Sequence, residues 1–262
     1  MTEGSASPRR VLYTALIGRY ETLNELTVDD PGITAICFTD DPDLRSGTWR
    51  IVVVEPAFPS DPVRSQRRLK VLGHPELHDF DEWMYIDNSV RLLAPPSRML
   101  DACLSTHDLA IPTHSFRDTV QDEFEAVIWS RLDRAERVTE QLTHYRADWP
   151  GSLTTRPLWN GIILRRSTPE VAAWARTWWE HILRYSRRDQ LSVIPALMAC
   201  ELPIHRIELD DRRSEYHEWP IITDRNEAMR QVAQPGPTGI AAARRALGAV
   251  RVRLSRPGRS SS

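Results

Sequence analysis

Four groups of residues in this 262-residue chain have types and spacings that could do chemistry. Asp87 follows Trp83-Met84-Tyr85-Ile86, a run that would deliver its carboxylate to the edge of a sheet. A carboxylate there suits a divalent cation that clamps a diphosphate, although strand ends also carry Asp merely to cap a turn. Arg64, Arg67, Arg68 and Lys70 crowd one predicted helix. Their i, i+3, i+4, i+7 spacing with Val71 would put the three arginines on one face, either solvated or turned to neutralise phosphates. His114-Ser115-Phe116-Arg117-Asp118 lies between a strand and a helix, with Glu123 one turn on. An imidazole, a guanidinium and a helix start could together hold an anion or hydroxyls. The plainer alternative is an Asp118 cap with an Arg117 ion pair. In Arg187-Arg188-Asp189-Gln190-Leu191-Ser192, Asp189 could cap a helix running through Leu197. It could instead bind sugar hydroxyls with Gln190, or act as a base.

The elements that must position these groups alternate. Val11–Ile17, Ile33–Phe38, Trp49–Val54, Trp83–Ile86, Asp108–Ile111 and Gly161–Leu164 read as strands, mostly of nearly continuous apolar and β-branched residues, as in strands covered on both faces. Asp61-Pro62 and Thr168-Pro169 read as N-cap and first helical residue. Further helices are predicted at 97–104, within 118–132 and up to about 145. Val171, Trp174, Trp178 and Ile182 form the core face of the helix after Thr168, so the tryptophans there are read as packing. The pattern predicts one α/β domain over 10–227 with a mostly parallel sheet flanked by helices. Ligands of such sheets bind beyond the carboxyl ends of the strands. Those ends read Gly18-Arg19-Tyr20, Thr39-Asp40-Asp41 and Asp87-Asn88-Ser89.

Composition narrows the classes. A formal charge of −2 excludes a uniformly basic nucleic-acid binder and a disordered acidic chain. No run is apolar enough to span a membrane, and the first ten residues lack a signal-peptide core, so a cytoplasmic protein is expected. Cys37, Cys103 and Cys200 are far apart and read as buried thiols. The charge is uneven, with +7 on residues 228–262 and −9 on the rest. Residues 1–9 are expected to be disordered. The basic tail is expected to be flexible, partly helical or engaged with a second subunit, with contact to an anionic membrane as the alternative.

Taken in order, several stretches resemble one known family. They are Val11-Leu12-Tyr13-Thr14-Ala15-Leu16-Ile17-Gly18-Arg19-Tyr20, Cys37-Phe38-Thr39-Asp40-Asp41, the Arg/Lys helix ending in Leu72-Gly73-His74-Pro75, and Tyr85-Ile86-Asp87-Asn88-Ser89. His114 to Asp118 with Glu123, Asn160-Gly161-Ile162-Ile163-Leu164-Arg165 and Arg188 to Ser192 complete the set. It is similar to the TOD/MUCI glycosyltransferase-like family over roughly residues 10–220. That family looks like a branch of the GT-A glycosyltransferases, with a Rossmann-like nucleotide-binding half. The resemblance implies a UDP- or GDP-sugar donor and a small-molecule or glycan acceptor, with no nucleic-acid partner. It implies that Thr14, Ala15, Gly18 and Tyr20 line the nucleotide pocket and that Asp40 meets the base or ribose. Arg64, Arg67 and Lys70 would face the diphosphate. Asp87 and Ser89 would take the place of an Asp-x-Asp metal motif for Mn²⁺ or Mg²⁺, with His217 as a late third ligand. His114, Arg117, Asp189 and Gln190 would meet the sugar or the acceptor.

Ser89 stands where that motif has a second carboxylate, and serine is the poorer ligand. The metal would then be held mainly by Asp87 and the donor, or be dispensable with the arginines neutralising the leaving group. In an inverting reaction Asp189 would be the base; in a retaining one it would only orient the sugar. The weakened motif also motivates an alternative, a non-catalytic sugar-nucleotide or glycan binder on the same fold. A nucleotidyltransferase is disfavoured, because no Gly-rich basic loop follows the first strand. Trp219, near His217, is a candidate ligand contact.

Overall fold

The computed structural model describes residues 7–221; residues 1–6 and 222–262, the basic tail among them, lie outside that range. Seven strands form one sheet: β1 (Arg10–Leu16), β2 (Ile33–Thr39), β3 (Arg50–Val53), β4 (Glu82–Ile86), β6 (Leu109–Pro112), β7 (Ile162–Arg166) and β8 (His205–Ile207). Their order is β3-β2-β1-β4-β7-β6-β8. All run parallel except β7, which is antiparallel to both β4 and β6. The α/β reading with a mostly parallel sheet therefore holds. A two-stranded ribbon pairs β5 (Arg91–Leu92) with β9 (His217–Glu218).

Strand alternation sends Val11, Tyr13, Ala15 and Ile17 into one apolar layer and Leu12 and Leu16 into the other. The first layer takes in helices α1 (Pro62–Leu72), α3 (Val120–Trp129), α4 (Ala135–Asp148), the single turn α5 (Pro150–Leu153), α6 (Pro169–Arg184) and α7 (Val193–Ala199). The second takes in α2 (Pro96–Cys103) and loop residues such as Leu23, Trp49 and Trp159. Trp174 and Trp178 are fully buried and stack at 5.0 Å, as expected of packing residues. Cys37 and Cys103 are buried and Cys200 is half-buried.

The caps at Asp61 and Thr168 are present, with side chains accepting from the Arg64 and Val171 amides. Two other expectations fail. Thr119, not Asp118, caps α3, because Asp122 three residues on closes a reciprocal capping box. Asp189 starts a 3₁₀ turn (189–191) instead of capping a helix, and α7 begins only after Ser192.

The reversal of β7 matters most for function. It brings the residues that precede this strand, Asn160 and Gly161, to the edge where β1, β2, β4 and β6 end. There the Asp87 amide donates to the Gly161 carbonyl at 2.9 Å. Gly161 has no room for a side chain, since a Cβ would collide with the Trp159 ring.

Candidate functional site

The carboxyl ends of β1, β2 and β4 frame an open cleft. Its lining includes Ala15, Arg19, Tyr20, Asp41, Asp87 and Ser89. The turn after β1 needs Gly18, whose φ of +98° is strained for other residues. Asp40 accepts the Gly18 amide with both carboxylate oxygens, at 3.0 and 3.1 Å, so its first role is to brace this turn. Thr14 is buried and absent from the lining, and its hydroxyl has no hydrogen-bond partner among the described residues. Of the expected nucleotide contacts, Ala15 and Tyr20 line the cleft, whereas buried Thr14 and exposed Gly18 do not. Arg19, singled out only as part of a strand break, brings a half-exposed guanidinium to the cleft, 3.7 Å from Asp41.

Behind Asp87 lies a buried ionic web. Lys70 Nζ is 3.3 Å from Asp87 Oδ1 and 2.8 Å from Asp189 Oδ2, and Arg67 Nε is 3.1 Å from Asp189 Oδ1. Tyr85 donates its hydroxyl to Asp87 Oδ1 at 2.6 Å and accepts from Gln66 at 2.6 Å. Arg67 in turn donates to Gln66. Burial alone would raise the Asp189 pKa, but Arg67, Lys70 and Arg188 hold it well below the usual carboxylate range. Burial likewise opposes the charge of Arg67, and Asp189 and Asp87 outweigh it. Burial pushes the Tyr85 phenol far up, keeping it a proton donor.

This web corrects three expectations. Arg64 and Arg68 do not share a phosphate-facing surface with Arg67. Arg64 donates to the Ile182 and Tyr185 carbonyls at the end of α6 and pairs with its own cap Asp61, while Arg68 faces solvent. Arg67 and Lys70 point toward the site but lie behind its wall, formed here by Gln66 and Asp87. Asp189 is not poised as a base, because a carboxylate ion-paired to two cations is a weak proton acceptor. It holds Lys70 and Arg67 in position.

A second cluster forms where β6 ends. Arg117 Nε is 3.2 Å from Glu123, whose pKa burial raises. The Phe116 amide donates to His114 Nδ1 at 3.1 Å, so this nitrogen is an acceptor. Asp211 Oδ2 lies 3.2 Å from the same nitrogen. Two acceptors at that distance are compatible when the carboxyl carries a proton. Burial supports this, raising Asp211 to about 7 and lowering His114 to about 3. Arg188 and Arg117 act on both His114 and Glu123, while Asp189 acts on Glu123, which couples the two clusters electrostatically. Gln190 donates to the Leu158 carbonyl at 3.4 Å, just before β7.

Sequence reasoning missed Asp211 and Asn160. Asp211 becomes a partner of His114 only through a return of the chain almost a hundred residues later. Asn160 is buried, and neither amide atom has a hydrogen-bond partner among the described residues. Its place in Asn-Gly-Ile-Ile-Leu-Arg was the one available signal.

The ribbon of β5 and β9 brings His217 and Trp219 beside the Asp87 loop, and Trp219 donates to Ser89 Oγ at 3.0 Å. His217 nevertheless fails as a third metal ligand. It is buried against the Trp159 ring at 5.0 Å, with Nε2 2.9 Å from the Asp211 carbonyl and Nδ1 2.8 Å from Ser214 Oγ. A carbonyl can only accept, so Nε2 carries the proton and Nδ1 takes the serine hydroxyl. Asn88 is spent on the Glu21–Asn24 loop. Among the described residues no group of three His, Cys, Asp or Glu side chains could hold a metal ion. Asp87 remains as a single carboxylate with a serine, a poorer protein donor set for Mn²⁺ or Mg²⁺ than a pair of carboxylates.

Residues 21–205 match the family model described as TOD1/MUCI70, glycosyltransferase-like domain. The chain belongs to this family. The match runs from the turn after β1 to the first residue of β8 and so takes in Asp87, the α1 cations, His114 and Asp189. No curated protein matches the chain. Among solved structures, the chain is similar to core-mannan synthase A from Aspergillus fumigatus in a Mn/GDP form, with a TM-score of 0.49 and 10% identity over 86% of this chain and 78% of that one.

Proposed function

We propose that this member of the TOD1/MUCI70 family transfers a glycosyl group from a nucleoside diphosphate sugar to an acceptor hydroxyl. The observation that carries this reading is the open cleft at the carboxyl edge of the sheet, backed by the Lys70–Asp189–Arg67 web and adjoined by the His114–Arg117 cluster. Nucleotides of α/β sheets bind at this edge. As the sugar leaves, negative charge develops on the β-phosphate, and fixed cations near it lower the barrier. Arg19 offers such a cation at the cleft, while Lys70 and Arg67 contribute from behind Asp87. A donor of either base, UDP or GDP, is compatible with this arrangement.

The sugar and acceptor would extend toward Gln190, His114 and Arg117. Asp189, held ionised, fixes the cations beside the leaving group and takes no proton. No step is assigned to a divalent metal, because Asp87 is the one carboxylate of its motif and no group of three His, Cys, Asp or Glu side chains forms a metal site among the described residues.

The test is a thermal-shift screen of UDP, GDP and their sugars, followed by transfer and hydrolysis assays with the donors that bind. A ligand of the folded state raises the melting temperature by mass action. Stabilisation by a nucleotide together with turnover is the expected result. Stabilisation without turnover across an acceptor panel would favour the non-catalytic binder, which the lack of a metal ligand set at Asp87 keeps in view. No shift with any nucleotide would sink both.

A further inference from the structure

We propose that Lys70 is the resident cation of Asp87, so that the diphosphate of the donor binds this cleft without a divalent metal. This rests on the reading of the cleft as a nucleotide-sugar site and says how that site handles charge. Asp87 sits on the cleft wall, where an uncompensated carboxylate would repel a diphosphate. The ammonium of Lys70 meets it at 3.3 Å and is fixed on its other side by Asp189 at 2.8 Å. Both the ammonium and the Tyr85 hydroxyl fall on the same oxygen, Oδ1, which leaves Asp87 oriented and partly neutralised.

The remaining candidates for metal coordination already hold other partners. Ser89 Oγ accepts from the Trp219 indole, the amide of Asn88 is bonded to Glu21 and Thr22, and the His217 nitrogens serve Asp211 and Ser214. A divalent ion at Asp87 would also stand close to the Lys70 ammonium, and like charges at such range repel strongly. Lys70 itself cannot easily withdraw, since it is 1% exposed and its stem is enclosed.

One consequence is specific to this arrangement. Asp87 and Asp189 are both in contact with one ammonium, so replacing Lys70 with a neutral residue leaves two carboxylates facing a vacated cation position. Lys70→Met should therefore gain a divalent-cation site that the natural protein lacks.

The experiment uses the full chain and two probes. In the first, MnCl₂ alone is titrated and free Mn²⁺ is read by electron paramagnetic resonance. The natural protein should show no stoichiometric Mn²⁺ binding that Asp87→Asn removes, whereas Lys70→Met should bind one ion. In the second, UDP and GDP are titrated by calorimetry in EDTA and again in MnCl₂. The natural protein should bind the preferred nucleotide with about the same affinity in both, within roughly twofold. Lys70→Met should lose about tenfold or more in EDTA and recover in Mn²⁺, as expected for a charge-assisted contact replaced by an ion. Lys70→Arg, which keeps the charge, should stay insensitive to EDTA; it also serves if Lys70→Met fails to fold. Nucleotide binding by the natural protein that EDTA abolishes would overturn the proposal, as would Mn²⁺ binding lost on Asp87→Asn. If no nucleotide binds under either condition, the nucleotide-sugar reading fails, and the Mn²⁺ titration still decides the cation at Asp87.

Discussion

Two aspartates in this protein are almost equally buried, and their surroundings push their pKa values in opposite directions. Asp189 is flanked by Arg67 at 3.1 Å and Lys70 at 2.8 Å and is kept ionised. Asp211 has an imidazole acceptor and the Ser115 amide, with Asp210 adding a like charge, and burial pushes it up to about 7. Burial alone therefore does not decide whether a carboxyl is charged; a cation in contact does. The first site is a fixed electrostatic frame, and at the second burial brings the carboxyl into the range where it titrates near neutral pH.

The comparison is broken most severely by Asp189→Asn. Two cations would then be buried without their shared counter-ion, a change that costs about 3–5 kcal/mol. Urea denaturation at neutral pH measures this, and a loss below about 1 kcal/mol would mean that the web relaxes into solvent. The pH dependence of the natural site has a fixed sign. The folded-state pKa of Asp189 lies below its unfolded value, so its contribution is present above the unfolded pKa and fades as pH falls below it.

Asp211 behaves oppositely. Its folded-state pKa of about 7 lies above the unfolded value near 3.8, so its stabilisation is full below the lower value and is lost as pH rises through about 7. His114, lowered to about 3, adds a contribution present above 6.5 and lost as pH falls toward 3, which partly masks the Asp211 effect. Asp211→Asn removes the titrating proton and supplies a fixed N–H to His114. The stability of this variant relative to the natural protein should rise by a few kcal/mol between pH 5 and pH 8. The expected slope is about 1.4 kcal/mol for each pH unit in which the natural protein holds this proton only when folded. Paired denaturation curves at those two values check it, and an unchanged gap would show that Asp211 does not hold the proton.

Smaller effects sharpen the boundary of the frame. Arg64→Gln should cost about 1 kcal/mol through lost bonds to the end of α6 and leave nucleotide affinity unchanged. An affinity loss with unaltered stability would return Arg64 to the phosphate site. Arg68→Gln, at an exposed position of the same helix, should change stability by no more than about 0.5 kcal/mol. A larger loss in urea denaturation would mean that Arg68 holds a partner in solution.

The parallel strands β1 to β4 and β6 and the caps at Asp61 and Thr168 were legible because each leaves a local imprint, an apolar run or a cap followed by proline, whereas the three-residue β8, His205–Ile207, leaves none. The placement of Asp87 at the cleft was legible for the same reason. The helix carrying the cations was also legible, but not which of its arginines points where. Arg64 and Arg68 are separated by what packs around α1, and helical spacing alone carries no record of the α6 carbonyls that claim Arg64. The failure of His217 has a similar cause. Its place beside Leu92 depends on the β5–β9 pairing, and its commitment to Asp211 and Ser214 depends on a turn with no pattern of its own. The direction of β7 was equally hidden, since the short apolar run Ile162-Ile163-Leu164 reads the same in a parallel or an antiparallel strand.

Arg165, at the far end of the sheet edge from the cleft, is buried against Trp83 at 4.9 Å and donates to the carbonyls of Lys70 and Val71. Tyr13 donates to the same Lys70 carbonyl at 2.8 Å. Lys70 is thus tethered at both its backbone and its ammonium. A free lysine side chain surrenders roughly 2 kcal/mol of rotamer entropy when it is immobilised. Here that loss is incurred when the chain folds, so a phosphate bound beside Asp87, as proposed, would meet a cation that has no further freedom to give up.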